Sequence, residues 1–99
     1  MSLLVQYRLK SKEDHTAQIE AMQTLVSDLK RAGIDGLNYS CYSTENDCEF
    51  LGILEFDSDE TFKQFQASTA FEAYRERVGP TFANPPETVK ISPIATTRS

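Results

Sequence analysis

Few side chains in this sequence could do chemistry, and their types narrow which chemistry that is. The single histidine, His15, falls at the start of an amphipathic run, where the positive end of a helix disfavours an added proton. A solvated first-turn side chain is expected there rather than a general base. Cys41 and Cys48 form no CxxC pair, and no His-x-x-x-His accompanies them, so two free thiols and no metal site are expected. Gly33-x-x-Gly36 follows a helical run instead of preceding one, which excludes a phosphate loop. A nucleophile activated by histidine could be assembled only around His15, and no strained nucleophile turn stands near it. What is left is phenol and guanidinium. Tyr7, Tyr39 and Tyr74 can converge in one layer, with Arg75 or Arg77 at its mouth, to give a mostly apolar pocket with a few polar groups. Such a pocket suits a flat aromatic molecule. The plainer alternative is that 6 Phe and 4 Tyr fill an ordinary core.

The elements that must bring these residues together are legible in the periodicities. Leu3, Val5, Tyr7 and Leu9 alternate with Leu4, Gln6, Arg8 and Lys10, the pattern of a half-buried strand. Ser11 and Asp14 resemble an N-cap pair, after which Ile19, Met22, Leu25, Val26, Leu29 and Ala32 recur at helical spacing up to Gly33. Leu37 to Tyr42 and Phe50 to Phe56 read as a hairpin about the polar stretch Ser43 to Asp47. A turn centred near Asn46 would set Cys41 opposite Leu51 and Cys48 opposite Thr44, too far apart for a disulfide. Asp57-Ser58-Asp59-Glu60 opens a second helix carrying Phe62 and Phe65. Ser68-Thr69 interrupts it and caps a fresh segment with Phe71, Tyr74 and Val78, which Gly79-Pro80 kinks or ends. Asn84-Pro85-Pro86 stops helix, and Thr88 to Ala95 makes a last strand, with Pro93 marking an edge.

The order is β-α-β-β-α-β over one domain spanning residues 1–99. It predicts an α+β, ferredoxin-like fold: a four-stranded antiparallel sheet with two helices on one face. The uncovered face would carry Leu4, Gln6, Arg8, Tyr42, Leu51, Ile53 and Glu55. The apolar members of that set form an exposed patch of the kind that marks an interface, so a homodimer with sheet packed on sheet is expected.

Net charge sharpens the choice of partner. With 10 Lys+Arg against 15 Asp+Glu the chain carries −5, which argues against nucleic acid and against anionic membranes. The same element order serves RNA-recognition modules, but their third strand is basic with exposed stacking aromatics. Here it reads Glu49-Phe50-Leu51-Gly52-Ile53-Leu54-Glu55-Phe56. No apolar run approaches the ~20 residues that span a bilayer, and the start lacks a basic-then-apolar signal; a cytoplasmic protein is expected. Asn38-Tyr39-Ser40 lies inside a strand and reads as a chance sequon.

One stretch carries a family likeness. Gly52-Ile53-Leu54-Glu55-Phe56-Asp57-Ser58-Asp59-Glu60-Thr61-Phe62, then Phe65-Gln66-Ala67-Ser68-Thr69-Ala70-Phe71-Glu72-Ala73-Tyr74, resembles the antibiotic biosynthesis monooxygenase-like families of the dimeric α+β barrel superfamily. The element order agrees over nearly the whole chain. The resemblance implies a ferredoxin-like protomer, a sheet-on-sheet homodimer and a ligand pocket between sheet and helices. Members that degrade haem use an Asn on strand one, a Trp ending strand three and a His on helix two. The matching positions here hold Tyr7, Phe56 and Tyr74, so that chemistry and a haem cofactor are not expected. The cofactor-free members oxidise aromatic or quinol substrates that supply their own electrons. For that branch the resemblance implies Tyr74 and Tyr39 as the catalytic pair holding the substrate. Tyr7, Phe56, Phe71 and Arg75 would bind it, and Arg75 would favour its anion. The alternative is a non-catalytic dimeric module of the same fold that binds a small ligand or only keeps its core filled.

Overall fold

A computed structural model describes residues 1–97. The strands are β1 (Ser2–Arg8), β2 (Leu37–Ser43), β3 (Glu49–Phe56) and β4 (Glu87–Ile91), and the helices are α1 (His15–Ala32), α2 (Asp59–Gln66) and α3 (Thr69–Val78). Short 3-10 turns at Lys12–Asp14 and Gly79–Thr81 complete the chain. The strands form one antiparallel sheet in the order β2-β3-β1-β4, the ferredoxin-like α+β arrangement.

Local chemistry sets the boundaries. Ser11 caps the 3-10 turn, its Oγ accepting from the Glu13 N–H at 3.2 Å, whereas Asp14 precedes α1 without a side-chain cap bond. The expected Ser11 and Asp14 pair is therefore split between two elements. At the other end Gly33 adopts φ 66°, and its N–H reaches back to Leu29 and Lys30 carbonyls, as a left-handed helix terminus requires. The second helix divides in two. Ser68 Oγ donates to the Phe65 carbonyl at 2.7 Å and accepts from the Phe71 N–H at 3.2 Å. One hydroxyl thus closes α2 and opens α3, which turns Phe71 and Tyr74 toward the sheet.

Two sequence expectations need correction. Cys41 pairs with Gly52 rather than Leu51, and Ser43 with Phe50. The reason is that paired residues share a face: Tyr39 opposite Leu54 puts two buried side chains together, which the other register would separate. The loop absorbs the extra residue through Thr44 and Asn46, whose side chains bond to backbone within the loop, as when Asn46 Oδ1 accepts from the Cys48 N–H at 2.8 Å. Both cysteines are free. The last strand is shorter than Thr88 to Ala95; it ends at Ile91, two residues before Pro93, which cannot donate to a ladder.

The helix-facing layer holds the core. Val5, Tyr7, Leu9, Tyr39, Phe50, Leu54 and Phe56 meet Ala21, Met22, Leu25 and Leu29 of α1 and Phe65, Tyr74 and Val78 of α2 and α3. On the bare face the register aligns Ser40, Ile53, Leu4 and Val89 in one row across all four strands. Val89 and Tyr42 there are 48% and 45% exposed. Among the described residues no helix is long and apolar enough to cross a membrane.

Gly52 is the glycine the core depends on. A Cβ at this position would lie 2.8 Å from Tyr39 Oη and 2.9 Å from Tyr39 Cε1, inside contact distance. Gly52→Ala is expected to destabilise the fold by about 1–3 kcal/mol, the usual cost of overpacking, in urea unfolding. In a Tyr39→Leu background, where the ring is absent, the added methyl should cost roughly half as much or less.

Candidate functional site

Three of the four tyrosines face one space. Tyr7 stands near the end of β1, Tyr39 in the middle of β2 and Tyr74 on the sheet side of α3. Together they line a cavity of about 610 Å³ between the sheet, the two later helices and the segment from Phe82 to Pro86. Its walls are apolar: Leu3, Val5 and Leu54 from the sheet, Phe62, Phe65 and Phe71 from the helices, Phe82 from the loop. Its polar side chains are the three phenols with Lys10, Gln66, Arg75, Asn84 and Thr88.

The hydroxyls are tied into a small network. Tyr7 Oη and Tyr39 Oη lie 2.5 Å apart, and Tyr74 Oη accepts from Gln18 Nε2 at 2.7 Å. The Tyr7 and Tyr74 rings meet edge-on with centroids 6.2 Å apart. Burial dominates their acidity, because a phenolate here would lose its water without gaining a cation. It pushes the Tyr7 phenol up to about 12 despite the opposing hydrogen bond from Tyr39, and drives Tyr39 and Tyr74 higher still, with the neighbouring phenols adding to the effect. Burial also pushes the Cys41 thiol up to about 11. All four groups are therefore neutral at physiological pH, and the tyrosines act as hydrogen-bond donors rather than as bases.

Arg75 is exposed at the rim, its guanidinium 5.0 Å from the centroid of the Phe71 ring. Lys10 stands on the same lining. Among the described residues that line the cavity there is no carboxylate and no imidazole, so its only charged side chains are cationic.

Of the residues named from sequence, Tyr7, Tyr39, Tyr74, Phe71 and Arg75 come together on this lining, and Phe56 does not. Phe56 ends β3 opposite Leu37 and stacks on Phe62 at 4.8 Å, so it supports the wall from behind. Arg77 turns away and pairs with Glu20 on α1 at 3.7 Å. His15 is half-buried rather than solvated: Nδ1 donates to the Asp47 carbonyl at 2.8 Å, and its ring lies 5.1 Å from that of Phe50. It clasps the hairpin turn, away from the cavity. Among the described residues no group of His, Cys, Asp and Glu is arranged to hold a metal ion. Sequence reasoning missed Lys10 and Gln18, whereas Phe82, whose ring the sequence placed between sheet and helices, does reach the lining. For Gln18 a signal existed, since it falls on the stripe of Met22, Leu25 and Leu29 at helical spacing and a polar residue there must find a buried partner.

No protein-family model matches the sequence, and no curated protein matches it. Solved structures do. Rv0793 from Mycobacterium tuberculosis superposes with TM-score 0.80 at 14% identity, over 98% of this chain and 97% of that one. A protein named as a candidate antibiotic biosynthesis monooxygenase from Nitrosomonas europaea gives 0.82 at 15% identity, over 98% and 92%. Another with that name from Caulobacter crescentus gives 0.82 at 14%, over 95% and 89%. Agreement of this extent at such low identity is agreement of fold, and it matches the likeness carried by the run from Gly52 to Tyr74: this chain has the ferredoxin-like fold of the antibiotic biosynthesis monooxygenase-like proteins.

Proposed function

We propose that the protein is a cofactor-free monooxygenase acting on a small aromatic or quinol-type substrate in its tyrosine-lined cavity. The observation that carries this reading is the convergence of Tyr7, Tyr39 and Tyr74 in an apolar space of about 610 Å³, large enough for two or three fused rings. Substrates of this class carry their own electrons. A methylene held between aromatic rings that conjugate it to a ketone, as in anthrone, loses a proton to give an enolate, which transfers electrons to dioxygen. The peroxide formed at that carbon then collapses to a second carbonyl with loss of one water, so CH₂ and O₂ become C=O and H₂O.

In this scheme Tyr74 and Tyr39 are the catalytic pair. Each donates toward the substrate oxygen on which negative charge develops, where fixed donors in a dry site stabilise charge most. Tyr7 holds Tyr39, Phe71 supplies a flat wall, and Arg75 with Lys10 favours the anion at the rim. Phe56 acts only by supporting Phe62. The named structural neighbours support this reading through their fold. A second reading, a non-catalytic module that binds such a ligand, is favoured by one observation: among the described residues the cavity lining has no carboxylate or imidazole to take the substrate proton.

The protein would act as a homodimer joined through the bare sheet face, where Ile53, Leu4 and Val89 line up in adjacent strands and where an apolar row of this kind calls for a partner. Pairing face to face would bury that row in both copies.

Three measurements follow. Oxygen uptake with anthrone should saturate, yielding one ketone per dioxygen consumed, and Tyr74→Phe should lower kcat about a hundredfold or more, the scale of one lost oxyanion donor. Saturable quenching of tyrosine fluorescence without oxygen uptake selects the binding module, and neither signal sinks both readings. Alkaline titration tests burial of the phenols. Because the Tyr7 phenol ionises near 12 when folded against 10.0 unfolded, the folded state holds more protons in that window. Stability is thus complete below pH 10 and is lost as pH rises through 12, with Tyr7, Tyr39 and Tyr74 ionising only as the chain unfolds. Near-ultraviolet absorbance reads this directly. Sedimentation at micromolar concentration should give twice the 11.2 kDa chain mass, and Ile53→Glu should return the monomer with its circular dichroism unchanged.

A further inference from the structure

The proposed aromatic site has a buried polar neighbour that does not line it. Gln18 on α1 is 1% exposed, and its amide is only half used. Nε2 donates to Tyr74 Oη, while Oε1 has no hydrogen-bond partner among the described residues. An unpaired buried carbonyl is destabilising, and an apolar side chain of similar shape would avoid it, so packing does not account for glutamine at this position. Its orientation follows from counting donors. Reversing the amide would leave both hydrogens of the NH₂ group buried without acceptors, and orphaned N–H groups are the rarer defect.

That orientation decides where the phenol hydrogens go. Because Tyr74 Oη accepts from Gln18, the Tyr74 hydrogen is left to point away from α1, toward the cavity or toward Tyr7. Tyr7 and Tyr39 share one hydrogen across their 2.5 Å contact. Three phenols bring three hydroxyl hydrogens, and even a continuous chain from Gln18 through Tyr74 and Tyr7 to Tyr39 leaves one for which only the Cys41 sulfur, a weak acceptor, stands near. The tyrosine end of the cavity is therefore rich in donors. Burial keeps these phenols protonated, so the surplus persists across physiological pH.

We propose that Gln18 is a positioning residue: by donating to Tyr74 it sets the direction of the tyrosine hydrogen bonds, so that the cavity presents a hydroxyl hydrogen and selects ligands bearing a ketone or quinone oxygen over hydrocarbons of the same shape. This rests on the reading of the cavity as an aromatic site and adds the polarity of the group recognised there.

The test uses the full chain labelled at tyrosine Cζ and two unreactive probes of one shape, α-tetralone and tetralin. Wild type should bind tetralone about fivefold more tightly, the scale of one net hydrogen bond, and tetralone alone should shift the Tyr74 Cζ resonance, identified by its loss in Tyr74→Phe. Gln18→Met should reduce the preference to about twofold or less while leaving tetralin affinity unchanged. Tyr74→Phe should cause the same loss, and the double variant no further loss. A preference that survives Gln18→Met, or equal weakening of both probes, overturns the proposal and leaves glutamine a structural residue. Equal binding of both probes to wild type also overturns it while the aromatic-site reading stands; binding of neither overturns both. Should Gln18→Met fail to fold, the wild-type spectrum decides, since a Tyr74 shift of equal size with tetralin excludes the proposal.

Discussion

The hydroxyl contact between Tyr7 and Tyr39 spans a strand. The sheet order places β3 between β2 and β1, with Tyr7 level with Phe50 and Tyr39 level with Leu54, so the two tyrosines start about 10 Å apart across the sheet and about 13 Å apart along it. They can meet only by leaning over β3, and at the crossing β3 carries Gly52, paired with Cys41 on one side and Val5 on the other. Any side chain there would occupy the place of the Tyr39 ring. The contact is worth about 1 kcal/mol net, but a phenol left unpaired in this layer would cost about 1–3 kcal/mol. The arrangement is held less by what the bond adds than by what its loss would expose.

The cavity follows from this constraint. With the two phenols folded down over Gly52, the sheet side of the molecule is low where a larger residue would fill it. The division of the second helical region at Ser68 then sets Phe71 and Tyr74 across the gap instead of into it. Phe65 touches both sides, with centroids 5.7 Å from Tyr39 and 4.5 Å from Phe71. The result is an aromatic shell around a space onto which three phenol oxygens converge. Low polarity around those atoms both raises the phenol pKa values and strengthens any hydrogen bond they make to a ligand.

Most of the fold was legible because its signals are local. Alternation in β1 and β3, the stripe on α1, Gly33 and Ser68 each depend on a few neighbouring residues, and each stands where expected. The hairpin register was not legible, since it depends on how the loop from Thr44 to Glu49 bonds within itself. The site was partly legible for the same reason. Tyr7, Tyr39 and Tyr74 share faces set by period, so their convergence could be argued. Phe56 shares that face too, but its place along β3 beyond Leu54 takes it past the cavity, and position along a strand needs the whole sheet. Lys10 reaches the lining through long-range pairing beyond β1, where Leu9 bridges to Phe82 and Lys10 N–H donates to the Thr81 carbonyl at 2.9 Å. No periodicity announces such a contact.

Charge adds a last constraint on what the cavity accepts. The chain as a whole is at −5, yet among the described residues Lys10 and Arg75 are the only charged side chains lining the space. A small anion in solution meets a repulsive field that salt screens over about 8 Å, and only within that distance does the cationic rim dominate. A ligand that is neutral in water avoids the repulsion, enters an apolar shell that favours it, and gains from Lys10 and Arg75 only once it ionises inside. Weakly acidic ketones and hydroquinones behave in this way, whereas carboxylates and phosphates are charged before they arrive. The acidic surface and the cationic rim thus act as one filter, and it passes molecules whose charge appears during the reaction rather than before it.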